Sequence, residues 1–131
     1  MTIPGSQAPR PAIVIVDDDR AVTNALEFSL DLEGFDVKSF RDAEALLAER
    51  PLPERGCLVV DYNLPGMNGL SLLERLRAAR VDLPAILITT NPRAALRRQA
   101  ADAGVPIVEK PLLTDALLDS VREVLGTVSA A

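Results

Sequence analysis

Short apolar runs that stop abruptly at acidic, hydroxyl or basic residues recur along this chain. Ile13 to Val16 is apolar and β-branched, and it ends in Asp17, Asp18 and Asp19. Apolar character on both faces suits a strand buried inside a parallel sheet, where helices cover the two sides. Cys57 to Val60 repeats the pattern and ends in Asp61. Ala85 to Ile88 is closed by Thr89 and Thr90, and Val105 to Val108 runs into Glu109, Lys110 and Pro111. Phe35 to Phe40 alternates and reads as a further strand, second in chain order.

Helical spacing fills the intervals. Arg20 to Glu33 places Val22, Ala25, Leu26 and Leu30 on one face, with Gly34 behind it as a C′ residue. Asp42 to Arg50 reads as a short helix stopped by Pro51. After a Pro/Gly loop over Asn63 to Gly69, Leu70 to Ala79 carries Leu70, Leu73 and Leu76 on one side. Asn91 is expected to cap the next helix, with Pro92 at its first position and Leu96 its only large apolar residue. Thr114 is expected to cap a last helix with Leu117, Leu118, Val121 and Leu125, closed by Gly126. The order is βα five times over. That alternation implies an α/β fold, a doubly wound five-stranded parallel sheet with right-handed crossovers and five helices.

Composition removes several function classes. The 131 residues hold 14 Lys+Arg against 19 Asp+Glu, a net charge of −5. Four aromatics (Phe28, Phe35, Phe40 and Tyr62) and an acidic balance speak against a base-stacking nucleic-acid surface. The single Cys57 reads as a small buried hydrophobe, and the phenylalanines and Tyr62 as packing residues. The longest strongly apolar run, Ala12 to Val16, has five residues, far short of the roughly 20 needed to span a membrane. No secretory signal is legible in Met1 to Pro11, so a soluble, cytoplasmic chain is expected. With no histidine, the commonest catalytic base and zinc ligand are both missing.

In an open parallel sheet the carboxyl ends of the strands share one edge, and ligands bind there. Asp17 and Asp18, Asp61, Thr89 and Lys110 are therefore delivered to one place by four separate segments. Each piece alone has a plainer reading: an Asp pair as solvated loop, Thr89 as a cap, Lys110-Pro111 as a turn. Their conjunction carries the weight. Two carboxylates ~4 Å apart repel by about 4 kcal/mol at an effective dielectric near 20, and a hard divalent cation relieves that cost. Few carboxylates, without histidine or thiolate, favour Mg²⁺ over Zn²⁺. A remaining carboxylate is a nucleophile toward phosphorus, and Lys and Thr can bind the transferred oxygens.

The runs Ile13–Asp19, Leu58-Val59-Val60-Asp61-Tyr62-Asn63-Leu64-Pro65-Gly66-Met67-Asn68-Gly69, Ile88-Thr89-Thr90 and Glu109-Lys110-Pro111 resemble the receiver domain of two-component response regulators. The stretch around Cys57 and Leu64 to Met67 looks most like receivers of nitrogen-fixation-type transcriptional regulators. The likeness runs from about Ala12 to Gly126. It implies a flavodoxin-like sheet in the order 2-1-3-4-5. It also implies a phosphoacceptor domain rather than a conventional enzyme, one that catalyses only its own Mg²⁺-dependent phosphorylation and dephosphorylation. Asp61 would take phosphoryl from a phosphohistidine. Asp17, Asp18, Asp61 and the backbone carbonyl of Asn63 would hold Mg²⁺. Thr89 and Lys110 would contact the phosphoryl group, and the Lys110-Pro111 bond would be cis.

The implied partners are a sensor histidine kinase or histidine phosphotransfer protein and a downstream protein target, with no nucleic acid and no membrane. A homodimer through the face of the fourth helix, fifth strand and fifth helix is a further expectation. The expected layout is a flexible tail over 1–11, the receiver over 12–126 and a tail over 127–131, with no output domain. The chain departs from the family pattern at Ile107, where a rotating aromatic residue is usual, and at Thr90, where a small residue is usual. An alternative class, a haloacid-dehalogenase-type phosphatase, would use the Asp-x-Asp pattern of Asp17 and Asp19. It leaves Asp61 and Asn63 to Gly66 without a role. A degenerate receiver acting as a constitutive binding module would not need Asp18, Asp61, Thr89 and Lys110 together.

Overall fold

The computed structural model describes residues 10–49, 52–110 and 114–129. Five strands, β1 (Ala12–Val16), β2 (Asp36–Phe40), β3 (Gly56–Asp61), β4 (Ala85–Thr89) and β5 (Ile107–Glu109), alternate with five helices. These are α1 (Arg20–Leu32), α2 (Ala43–Ala48), α3 (Gly69–Ala78), α4 (Ala94–Asp102) and α5 (Thr114–Ser129). All strand pairs are parallel and the order is β2-β1-β3-β4-β5, as the alternation and the resemblance implied. β1, β3 and β4 are buried at every position. Their side chains divide by parity. Val14, Val16, Leu58, Val60 and Leu87 pack under α2, α3 and α4, while Ile13, Ile15, Val59, Ile86 and Ile88 pack under α1 and α5. Each large aliphatic side chain removed from water in this way contributes roughly 1.5–3 kcal/mol.

Most helix limits follow local chemistry. Asp19, Asp42 and Asn68 are N-caps whose side chains accept from amides of the first turn. Gly34 closes α1 at φ 97°, a conformation open to glycine, with Phe35 N donating to Leu30 O at 3.1 Å.

Four expectations are corrected. α4 begins at Ala94, not at Pro92, and its N-cap is Arg93, which supplies no side-chain hydrogen bond. Asn91 instead takes a left-handed turn at φ 46°, which its short amide tolerates. β5 starts at Ile107, because the Val105 amide is spent on Ala100 O at 2.8 Å and Pro106 has none to give. α5 includes Thr114 rather than being capped by it, and runs through Gly126 to Ser129. A single glycine costs about 1 kcal/mol in a helix, and Val121, Val124 and Leu125 hold this one against the core. Phe28, taken as a packing residue, is 69% exposed.

At the inner end of the tail expected over 1–11, Arg10 donates to Gly34 O at 2.8 Å and to Phe35 O at 2.7 Å. Residues 1–9, Pro51 and the proline of the Lys110-Pro111 bond lie outside the described residues. Among the described residues no helix is long and apolar enough to cross a membrane.

Candidate functional site

The site is assembled where β1, β3, β4 and β5 end. Parallel pairing brings those ends level: Val16 lies beside Val60, Asp61 beside Ile88, and Thr89 beside Glu109. Asp61 is the last residue of β3 and only 3% exposed. Asp17, one residue past β1, is 2% exposed, whereas Asp18 faces solvent. Carboxylate oxygens of Asp17, Asp18 and Asp61 all lie within 4.8 Å of one another.

Lys110, one residue past β5, reaches into this cluster. Its Nζ stands 2.9 Å from Asp61 Oδ2, as a hydrogen bond, and 3.3 Å from Asp17 Oδ2. The Lys110 amide donates to Thr89 O at 2.8 Å, which ties the lysine to the β4 end that carries the threonine. Thr89 is itself 2% exposed. The Asn63 amide donates to Asp61 Oδ1 at 3.0 Å, and the Asp19 amide to Asp17 Oδ1 at 2.9 Å. One oxygen of each buried carboxylate is thus fixed by backbone and the other is turned toward Lys110.

Burial pushes the Asp17 carboxyl above its ordinary range, and the neighbouring Asp61 charge pushes it the same way. The Asp19 amide and Lys110 oppose this without cancelling it. Burial alone would lower the Lys110 ammonium, but Asp61 and Asp17 outweigh it and hold the group above its usual value. Asp17 Oδ2 has the ion pair to Lys110 but no hydrogen bond of proper geometry, and it is fully buried. That single ammonium is shared with Asp61, so among the described residues three converging carboxylates face one cation and their crowding is only partly offset. The donor set there is all oxygen, which suits a hard divalent cation. The residues present therefore fit Mg²⁺.

All six residues picked out from the sequence (Asp17, Asp18, Asp61, Asn63, Thr89 and Lys110) come to this one edge. Asp19 does not join them. Its carboxylate accepts from the Ala21 amide at 3.0 Å and the Val22 amide at 3.4 Å, capping α1. The phosphatase alternative needs Asp19 turned toward Asp17, so it loses its second acid.

Gly69 is a site residue that sequence reasoning passed over as a loop end. A Cβ at Gly69 would lie 2.5 Å from Asp61 O, and the Gly69 amide donates to Tyr62 O at 2.8 Å. The start of α3 is thereby pressed against the Asp61 backbone. The signal was local: Asn68 before a leucine-rich helical run is a cap, which makes Gly69 the first helical residue.

A buried carboxylate at the carboxyl edge of a doubly wound sheet, paired with a lysine and flanked by two acids, defines the phosphoacceptor class of signalling domains. The chain belongs to the response regulator receiver domain family, which it matches over residues 13–122. It is 35% identical over 120 residues to the transcriptional regulatory protein FixJ of Bradyrhizobium diazoefficiens, covering 91% of this chain and 58% of that protein. It is 40% identical over 114 residues to the C4-dicarboxylate transport transcriptional regulatory protein DctD of Pseudomonas aeruginosa, covering 86% of this chain and 25% of that one. The crystal structure of FixJ-N superposes with a TM-score of 0.79 at 32% identity, covering 88% of this chain and 94% of that chain. This chain thus spans little more than half of such a FixJ and a quarter of such a DctD. It is a receiver domain of two-component systems with a phosphoacceptor role. Receiver domains interact with histidine kinases, bind Mg²⁺ at an acidic cluster and are not conventional enzymes.

Proposed function

We propose that Asp61 is the phosphoacceptor, that Asp17, Asp18, Asp61 and the Asn63 carbonyl hold Mg²⁺, and that Thr89 and Lys110 bind the transferred phosphoryl group. The observation that carries this reading is the 2.9 Å contact between Lys110 Nζ and Asp61 Oδ2, inside a cluster of three carboxylates. Asp61 Oδ forms the new bond to phosphorus as the P–N bond to the donor imidazole breaks. The ring nitrogen keeps that electron pair and takes up a proton. Lys110 then turns from carboxylate to phosphoryl oxygen, and the Thr89 hydroxyl donates to another. Bound Mg²⁺ supplies charge neutralisation for the crowded oxygens. The backbone bond from Asn63 fixes the Asp61 carboxylate before reaction, so little reorganisation remains. Within this reading the α4–β5–α5 face is the self-association surface, which sedimentation with and without beryllofluoride checks.

Incubation with a small acyl phosphate and Mg²⁺ is expected to add one phosphate by mass, labile to hydroxylamine. Asp61→Asn should abolish it. A hydroxylamine-labile label of equal stoichiometry in that variant would overturn the assignment.

A further inference from the structure

A donor that carries a dianionic phosphoryl group meets an electrostatic obstacle at this site. Three carboxylates converge there against one ammonium, an excess of two negative charges before any cation binds. Like charges at this spacing repel the donor as well as one another. Beside the cluster the structure holds a cleft of about 290 Å³, lined by Asp17 and Asp18 together with Arg20 and Arg41. Arg20 follows Asp18 by two positions. Arg41 follows Phe40, whose carbonyl accepts from the Asp17 amide at 3.1 Å.

Both arginines stand unneutralised beside the acidic cluster. Neither guanidinium has a hydrogen-bond or ion-pair partner among the described residues. The acids next to them in sequence are engaged elsewhere, Asp19 capping α1 and Asp42 accepting from the Ala45 amide to cap α2. Moreover, Arg20 is the first residue of α1, and α1 has no acid in its first turn. Cations at a helix N-terminus oppose the macrodipole, so the helix gains nothing from it. Departures from local preference that lie beside an acidic cluster are where function is to be sought.

We infer that Arg20 and Arg41 form an anion-binding vestibule that receives the incoming phosphoryl donor, resting on the reading of Asp61 as phosphoacceptor. The two guanidiniums cancel the excess negative charge of the cluster. With a divalent cation bound the mouth becomes net positive, which matches a dianion and raises its local concentration. Each guanidinium presents a planar fork suited to phosphoryl oxygens. Their service is to binding and not to bond making, since Asp61, Lys110 and Thr89 already surround the reacting position.

The test is steady-state phosphorylation of the whole chain by acetyl phosphate and, in a second arm, by phosphoimidazole, which separates acyl from imidazole donors. An exposed charge contact is worth a factor of roughly 1.5 to 5, so Arg20→Gln/Arg41→Gln should raise KM for both donors about 5- to 20-fold at low salt. The rate at saturation should stay within about twofold, and the salt dependence of KM should flatten. Mg²⁺ affinity, read from the single Tyr62 in a chain without tryptophan, should stay level or tighten, since two cations have left. Arg20→Lys/Arg41→Lys should retain most of the donor affinity. A KM that does not change, or a loss of donor and Mg²⁺ affinity together, would overturn the vestibule. A failure of the Asp61 assignment appears separately, as label surviving in Asp61→Asn.

Discussion

Cys57 sits fully buried in β3, and burial pushes its thiol up to about 12 from an ordinary 9.0. The unfolded chain loses that proton near pH 9 and the native one keeps it, so the group's contribution to stability falls as pH rises from 9 toward 12. The slope is about 1.4 kcal/mol per pH unit. Cys57→Ala should cost about 1 kcal/mol at pH 7 for the missing volume. That deficit should shrink above pH 9, as urea melts at pH 7 and pH 10 would show. An unchanged deficit would mean the thiol is not held protonated. Gly69 makes a sharper case. A Cβ there would crowd Asp61 O at 2.5 Å, whereas a Cβ at Gly56, the far end of the same strand, would crowd Ala12 O at 2.0 Å. Both Gly→Ala variants should lose about 2 kcal/mol or more. Only Gly69→Ala should also weaken Mg²⁺ binding and slow phosphorylation, measured by Tyr62 fluorescence and label incorporation.

At the scale of elements, α3 and α4 differ in how they are held. α3 buries Leu72, Leu73 and Leu76, and ends in a turn whose left-handed residue is Arg80 at φ 65°. The Val81 amide reaches Leu76 O at 2.9 Å across that turn. A non-glycine residue pays about 1–2 kcal/mol for this conformation, partly offset by glycine's greater unfolded-state entropy. Arg80→Gly should therefore raise stability by about 0.5–1 kcal/mol and Arg80→Val should lower it, read from urea midpoints. α4 buries only Leu96 and Ala100 and has no side-chain cap. An exposed ion pair from Arg97 to Glu109 at 2.8 Å adds at most about 1 kcal/mol. Ile107, β-branched and without a ring, cannot swing as an aromatic residue would. A weakly held helix is the element that a switch would move at the least cost. Beryllofluoride should thus change amide exchange most across residues 89–103. Equal protection there, with changes confined to the loop after Asp61, would show that α4 is not the moving part.

For the whole molecule, a cation that binds only the native state stabilises it by RT ln(1 + [L]/Kd), about 1.4 kcal/mol at ten times Kd. Mg²⁺ should raise the melting temperature by that mechanism, and Asp18→Ala should remove most of the effect. Without Mg²⁺ the same variant should melt no lower than the parent, because it deletes a repelling and exposed charge from the cluster. An undiminished Mg²⁺ response in Asp18→Ala would exclude that carboxylate as a ligand.

The parallel α/β class and the residues that gather at the carboxyl edge were legible in the chain's local pattern. Apolar period, β-branching and the acid that ends each run are properties of neighbouring residues, and the backbone must respect them wherever the chain goes. The caps at Asp19, Asp42 and Asn68 are local in the same way, although the caps expected from the sequence were Gly34, Asn91, Thr114 and Gly126, of which Gly34 alone closes its helix as expected. Long-range packing decided the orientation within Asp17-Asp18-Asp19: one buried against Lys110, one exposed at the rim of the carboxylate cluster, one turned back onto α1. Composition and periodicity do not distinguish three identical residues in a row; only the family resemblance singled out the first two. Their directions depend on where β1 stops beside β3 and on a lysine that arrives from β5. The start of α4, the passage of α5 through Gly126 and the pressure of Gly69 on Asp61 were likewise settled by packing, because each balances a small local preference against contacts far away in the chain.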